Sequence, residues 1–556
     1  MPSHIVSPAA PTDDAEWWRG AVIYQIYPRS FQDTNGDGLG DLAGVTTRLG
    51  YIASLGVDAI WICPFYPSPM KDFGYDVANH CDVDPRFGTL ADFDVLVQVA
   101  HRLGLRVLID LVLSHTSDQH PWFEQSRASR TGPMADWYVW ADPIGSIDEQ
   151  PQPPNNWVSL FGGSAWQWDV QRQQFYLHNF LGSQPDLNYH HPAVQQAAAQ
   201  VVRFWLDRGV DGFRIDTANY YFHDAQLRSN PPATHVELRA DGLPEGTAYA
   251  MQRHLHDKSQ PENLAFMEKL RAVVDRYPGR CLLAEIGDDD ALACMAEYTR
   301  PGRLHMAYSF HLLGPRFSAG MLAGILNDVE GRMGDGWPCW SIGNHDVPRV
   351  ASRWGLQAHG GAPLRVLMAM LLCLRGTACI YQGEELGLSE VDVAYDNLQD
   401  PFGLTHWPEH KGRDGCRTPM PWDARQRLGG FTQGERTWLP TPPEHLERCA
   451  TRQEVDPGSL LHAYRRFLSW RGRQPALVRG NLQLLTQQGN VIGWMRSHGE
   501  QRIVAAFNLG PEAAHVPWHR IGVRVHPLVG HGFETTTDDE GIRLPPWGAY
   551  FGAAGL

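Results

Sequence analysis

Four strings in this chain place ionisable residues at the ends of short apolar runs. RVLIDLVLSH (106–115) carries Asp110 and ends on His115, and GFRID (212–216) carries Arg214 and ends on Asp216. CLLAEI (281–286) carries Glu285, and WSIGNHD (340–346) ends on His345 and Asp346. Three carboxylates meeting in one pocket fit glycoside cleavage, in which one group attacks carbon and another moves protons. Crowded carboxylates raise the pKa of at least one of them, which keeps a carboxylic acid available near neutrality. Arg214 stands two residues before Asp216, so on a strand both side chains share a face, and a fixed guanidinium there would hold the carboxylate ionised. A single acid at a strand end reads as a loop cap or an ion pair. Three at corresponding ends, with an Arg and two His, read as a site.

The elements that must position them alternate. Apolar β-like runs fall at 21–27, 57–64, 106–113, 212–216, 281–286, 305–310, 338–344 and 376–381. Many are continuous, as parallel strands buried on both faces require. Amphipathic stretches such as 93–103, 194–206 and 264–276 lie between them. This order predicts an α/β fold, a (β/α)8 TIM barrel, whose strand ends converge on one mouth. The doubly wound sheet is the alternative, but no Gly-rich dinucleotide fingerprint follows the first run. The third and fourth runs are separated by far more chain than one helix needs, so 115–190 is expected to be an inserted small domain. Further insertions are expected at about 227–263 and 384–449. After residue 473 the pattern turns to short alternating runs, which predicts a C-terminal all-β domain. The expected division is barrel 1–114, insert 115–190, barrel 191–473 and β domain 474–556.

Bulk properties narrow the function. The chain has 556 residues, 43% hydrophobic and 20% charged, enough for a large core. A net charge of -15 argues against nucleic acid or an anionic membrane as partner and suits an uncharged substrate. The 20 Trp and 18 Tyr are compatible with stacking on sugar faces, although a large core uses most of them. Nine scattered Cys with no CxxC pair predict a reduced, cytoplasmic protein without a thiolate metal site. The first residues lack the basic and apolar regions of a signal peptide and read as a short mobile tail. The longest apolar runs, such as 366–374, are too short to span a bilayer.

A separate signal is the loop DTNGDGLGD, 33–41. Oxygen donors at alternate positions in a Gly-rich loop suit Ca²⁺ or Mg²⁺. It resembles the start of an EF-hand, but Gly44 stands where an EF-hand needs its twelfth-position Glu.

The motifs DLVLSH, GFRID, AEI and NHD resemble, in order, the four main motifs of the α-amylase family, glycoside hydrolase family 13. QPDLN (184–188), AVIYQIYPRSF (21–31) and RTPMPWD (417–423) resemble its oligo-1,6-glucosidase and α-glucosidase branch. The resemblance covers about residues 17–470. It implies Asp216 as nucleophile, Glu285 as general acid/base and Asp346 as stabiliser of the transition state. It implies that His115, Arg214 and His345 line one glucose subsite on which Tyr75 stacks, and that Asp72 pairs with Arg413 at its closed end, making the enzyme exo-acting. Phe161 and Phe310 are aromatic wall candidates, with core packing as the other reading. The branch also has a single-ion loop at this place, which implies one structural divalent cation, Ca²⁺ or Mg²⁺, held by Asp33, Asn35, Asp37, the Leu39 carbonyl and Asp41.

Thr217 follows the nucleophile, and in this branch Thr there goes with α-1,4 bonds. The resemblance thus implies an α-glucosidase that cleaves maltose-like substrates and transfers glucose to sugar or alcohol acceptors, as a monomer or homodimer. Two other functions remain open on sequence. One is a disaccharide isomerase or synthase of the sucrose isomerase or trehalose synthase type. The other is a non-enzymatic carbohydrate-binding or scaffold barrel, which would have no need of the acidic trio. The three acids of AEIGDDD, just after Glu285, depart from the pattern and bear on acceptor binding or on the acid's pKa. Cys416, near the site, is expected to be a buried, inert thiol.

Overall fold

A computed structural model describes residues 15–233 and 247–555. Most of the expected N-terminal tail (1–18) and part of the expected insertion at 227–263 lie outside the described residues, but the tail's last two residues are not mobile: Trp17 and Trp18 are buried against Arg106 and Trp337 at the foot of the barrel. Eight parallel strands close into a barrel: β1 (Val22–Ile26), β2 (Ala59–Ile62), β3 (Arg106–Leu111), β4 (Gly212–Ile215), β5 (Cys281–Glu285), β6 (Met306–Ser309), β7 (Pro338–Ser341) and β8 (Thr377–Tyr381). Each pairs with its sequence neighbours, and β8 closes on β1. The strands are buried along their length because alternate residues face two different cores. Ile23, Trp61, Leu108, Leu283, Tyr308 and Cys379 fill the barrel interior. Tyr24, Ile60, Val107, Phe213 and Ala284 face the surrounding helices. This is why the runs read as continuous rather than alternating.

The helices begin where local chemistry satisfies their first amides. Thr89 and Asp92 form a reciprocal capping box before Leu90–Arg102. Asp41 caps Leu42–Leu55 through the amide of Gly44, and His191 followed by Pro192 opens Pro192–Asp207.

Between β3 and β4 the chain builds a small three-stranded sheet, with Gln174–Leu177 between Trp140–Ala141 and Trp166–Asp169. It has its own core of Val139, Trp157, Ala165, Trp166 and Phe175. The chain ends in a five-stranded antiparallel sheet, Asn481–Gln488, Val491–His498, Gln501–Asn508, Ala549–Ala554 and Val525–Pro527, backed by a smaller sheet. Several catalytic-end residues fall beyond their strands. β4 ends at Ile215, so Asp216 begins the loop, and β7 ends at Ser341, short of the expected 344. Among the described residues no helix is long and apolar enough to cross a membrane.

The terminal sheet is tied to the barrel by cations at the end of helix Ala362–Cys373. Arg496, fully buried, donates to the carbonyls of Cys373 and Leu374 at 2.7 Å each, and to Gly480 at 2.8 Å. Arg471 donates to Leu372 at 2.6 Å. Carbonyls at a helix C-terminus have no partner within the helix and favour positive charge. Arg496→Met keeps the stem but removes the donor to the Leu374 and Gly480 carbonyls and leaves Cys373 only the Trp494 indole N–H at 3.2 Å. Leaving buried acceptors unpaired costs about 1–3 kcal/mol each, so a clear fall in melting temperature is expected, with the turnover of the folded fraction unchanged.

Candidate active site

The register of the barrel sets the centre. Asp110 on β3 lies beside Arg214 on β4, and Arg214 lies beside Leu283 on β5, two residues before Glu285. Arg214 is buried, and its Nη1 reaches Asp216 Oδ1 at 2.5 Å and Asp110 Oδ1 at 2.8 Å. Its Nη2 reaches Glu285 Oε1 at 2.6 Å. One guanidinium therefore binds three carboxyl groups and gathers those of Asp216 and Glu285 on its two terminal nitrogens. The Trp61 ring lies beneath the cation, 5.0 Å from it, with its indole N–H on Asp110 Oδ2 at 3.1 Å.

One positive charge does not balance three negative ones in a buried site. Burial raises Asp110 and Asp216 above the usual carboxylate range, and Arg214 opposes the rise in both. Glu285 is driven furthest, up to about 8, by burial and by the charges of Asp216 and Asp346 against the pull of Arg214. Glu285 therefore keeps its proton at neutral pH. Asp346 goes the other way. Burial would raise it, but His345, Arg417 and Arg413 hold it well below the usual range. His345 is itself pushed down to about 3 by burial, so it is neutral at pH 7 and the two guanidinium groups carry the effect.

Arg413 joins the walls. Its Nη2 binds Asp72 Oδ1 at 2.8 Å and Asp400 Oδ1 at 2.7 Å, and its Nη1 reaches Asp346 Oδ1 at 3.3 Å. Arg417 Nη2 binds the same Asp346 oxygen at 2.9 Å, and its Nε donates to the His345 carbonyl at 2.6 Å. Tyr75 stacks on His345 with ring centroids 5.4 Å apart, shares a 2.6 Å hydrogen bond with its Nε2, and donates to Asp110 Oδ2 at 3.1 Å. His115 is held between Ser114 Oγ at 2.9 Å and the Tyr75 carbonyl at 3.0 Å, and burial lowers it to about 4.

All of the expected contact residues except Arg214 line one cavity of about 690 Å³: Asp72, Tyr75, His115, Phe161, Asp216, Thr217, Glu285, Phe310, His345, Asp346 and Arg413. Arg214 lies under its floor. Phe161 and Phe310 both reach the cavity, and the Arg413 guanidinium lies 5.6 Å over the Phe161 ring. Thr217 has φ 42°, rare for a β-branched residue. It is held by its amide on Glu285 Oε2 at 3.1 Å and its hydroxyl against Ser114 Oγ at 2.8 Å.

Sequence reasoning missed several members. Asp110 and Arg417 sit inside quoted motifs, but nothing local marked them as partners of Arg214 and Asp346. Gln184 donates to Asp72 at 3.1 Å, and Asp400 sits behind Arg413 in a long loop without periodicity. Of the three acids after Glu285, Asp288 accepts from Ser259 and Asp290 caps helix Ala291–Tyr298. Cys416 is buried, donates to the Arg413 carbonyl at 3.1 Å, and burial pushes its thiol up.

The 33–41 loop is a run of side-chain-to-backbone turns. Asp33 Oδ1 accepts from the amides of Asn35 and Gly36 at 3.0 and 2.8 Å, and its Oδ2 from Gly38 and Thr432 at 2.8 and 2.5 Å. Asn35 and Asp37 accept from the amides two residues on, at 2.9 and 2.8 Å. Asp41 turns toward Thr34 and the helix it caps. The donors are all oxygen, which fits a hard cation.

Comparison with known proteins accords with this geometry. Residues 25–480 match the model of the α-amylase catalytic domain. A probable α-glucosidase of Rhizobium meliloti is 53% identical over 547 residues, 97% of each chain. The crystal structure of the α-glucosyl transfer enzyme XgtA superposes with a TM-score of 0.93 at 50% identity, covering 97% of this chain and 99% of that one. Trehalulose synthase MutB from Pseudomonas mesoacidophila MX-45 gives 0.84 at 31% identity, covering 98% and 100%. A closed barrel with carboxylates gathered at its strand ends, matched over this length, places the chain in the α-amylase family of glycoside hydrolases.

Proposed function

We propose that this enzyme is a retaining, exo-acting α-glucosidase. In the first step the Asp216 carboxylate attacks the anomeric carbon, the bond to the leaving oxygen breaks, and Glu285 gives that oxygen its proton. In the second, water or a sugar hydroxyl attacks the same carbon and yields its proton to Glu285, and Asp216 is released. Asp346, kept ionised by Arg417 and Arg413, faces the positive charge that develops on the ring. The observation that carries this reading is the grip of one guanidinium on both Asp216, at 2.5 Å, and Glu285, at 2.6 Å, which holds the two carboxyl groups close together. An inverting pair stands about 6.5–9.5 Å apart to seat a water. The Asp72–Arg413 pair, with Gln184 behind it, closes the glucose subsite, which supports cleavage from the non-reducing end. Thr217 at the cavity wall supports α-1,4 preference, and the likeness to an α-glucosyl transfer enzyme supports transfer to acceptor hydroxyls. The likeness to a trehalulose synthase supports a second reading, a disaccharide isomerase, and its test is the product. The nine unpaired cysteines favour a reducing, cytoplasmic location. The oxygen-rich loop, which does not line the cavity, would hold one structural Ca²⁺ or Mg²⁺ through Asp33, Asn35, Asp37, Asp41 and the Leu39 carbonyl and add stability.

Four results are expected. Incubation with maltose, followed by NMR, releases glucose first as the α-anomer, and Asp216→Asn loses at least about 10⁴-fold in turnover, as triad-type residues do. A rearranged disaccharide in place of glucose would select the isomerase. The alkaline limb of kcat/KM falls near pH 8, where Glu285 ionises. In Glu285→Gln that limb disappears when α-glucosyl fluoride, whose leaving group needs no proton, is the donor. Because burial raises Glu285 above its ordinary 4.5, the folded state holds an extra proton between pH 4.5 and 8, and stability is lost as pH rises through that window. The melting advantage of Glu285→Gln therefore grows from pH 5 to pH 8. Chelation lowers the melting temperature, and Ca²⁺ restores it. A cation present at 100 times its Kd adds about 2.7 kcal/mol.

A further inference from the structure

A lysine is buried behind the active-site wall. Lys258 is 1% exposed, and its Nζ donates to Tyr249 Oη at 3.0 Å and to Tyr220 Oη at 3.3 Å. The two phenols share a 2.6 Å hydrogen bond, and the ammonium lies 5.2 and 5.3 Å from their ring centroids. Tyr249 in turn stacks on His254 at 3.7 Å, and His254 Nδ1 binds Asp257 Oδ2 at 2.5 Å, both fully buried. Burying an ammonium is expensive unless its protons are taken up. The neighbouring Asp257 carboxylate, which burial would raise but His254 and Lys258 hold below its usual range, answers the charge within the same cluster.

Tyr220 is the point at which this cluster reaches the site. It alone of these residues lines the reaction cavity, and it stands four positions after Asp216, with its amide on the Thr217 carbonyl at 2.9 Å. Its ring packs on Phe180 at 5.4 Å, and Phe180 packs on His115 at 5.1 Å, so an aromatic wall runs from the closed glucose subsite toward Tyr220. The segment that supplies Lys258 is also stitched to the loops after both catalytic strands. Ser259 N donates to the Asn219 carbonyl at 2.7 Å, and Asn219 Nδ2 donates to the Gly287 carbonyl and to Ser259 Oγ, each at 2.8 Å. Ser259 also donates to Asp288, so the acidic run after Glu285 serves this junction.

We propose that Tyr220 contacts the sugar on the far side of the cleaved bond, as leaving group or acceptor, and that Lys258, with Tyr249, is the positioning residue that fixes its ring. This rests on the glucosidase reading above. A tyrosine face matches the apolar C–H face of a pyranose, and anchoring its hydroxyl removes the freedom that binding would otherwise have to freeze.

The test compares maltose, which carries a second sugar, with α-glucosyl fluoride, which has none. For Tyr220→Ala and Lys258→Met, kcat/KM on maltose falls at least tenfold, mostly through KM, and transfer to added glucose falls in parallel, while kcat/KM on the fluoride stays within twofold of the parent. Tyr220→Phe, which keeps the ring and loses the anchored hydroxyl, lies between, and its effect does not add to that of Lys258→Met. Equal losses on both donors, or additive effects in the double variant, would overturn the proposal and leave Lys258 a structural residue. Should Lys258→Met not fold, Tyr220→Ala and Tyr220→Phe against the two donors decide alone. If the parent turns over neither donor, it is the glucosidase reading that fails.

Discussion

The buried guanidinium of Arg214 is the constraint from which the site follows. It has no solvent to screen it, so its carboxylate partners must come to it. Strand pairing brings Asp110 and Glu285 from neighbouring strands, and the strand end brings Asp216. With more carboxyl groups than charge to balance them, the proton settles on the group with the weakest compensation. Asp346 is supplied with two guanidiniums of its own and stays ionised. Which of these acids keeps a proton is thus set by how three arginines are distributed among six acids, in a chain whose overall charge is strongly negative.

The barrel serves this arrangement by stiffness. Its interior is filled by Trp61, Tyr308, Met306 and their neighbours, so the floor beneath Arg214 is packed rather than wet. Positions at the strand ends are over-determined. His345 meets Gln25 on one ring nitrogen and Tyr75 on the other, and Tyr75 in turn reaches Asp110. A shift of any one would propagate to the rest.

Much of this was legible in the sequence because it lies on strands. Continuous apolar runs that end in Asp216 or Glu285 announce both the element and the chemistry. What stayed hidden lies in loops. Asp400 and Gln184 belong to segments without periodicity, and only the fold brings them to Arg413 and Asp72. Lys258 was invisible for another reason, since a lone lysine reads as solvated surface and its burial depends on tyrosines 9 and 38 residues away. Strand ends were also misread by a few residues at β7, where the chain leaves the sheet before Asn344 to aim His345 and Asp346 inward.

Thr217 carries a consequence for how such an enzyme diversifies. Its side chain meets the cavity while its amide, fixed by an unusual left-handed backbone, touches the carboxyl of Glu285. On the α-glucosidase reading proposed above, ligand preference and acid strength would therefore be pleiotropic at one codon. A replacement selected for a new sugar linkage perturbs the backbone that tunes proton delivery, and lineages exploring new substrates would be driven to pair changes here with compensating ones around Ser114 or Glu285.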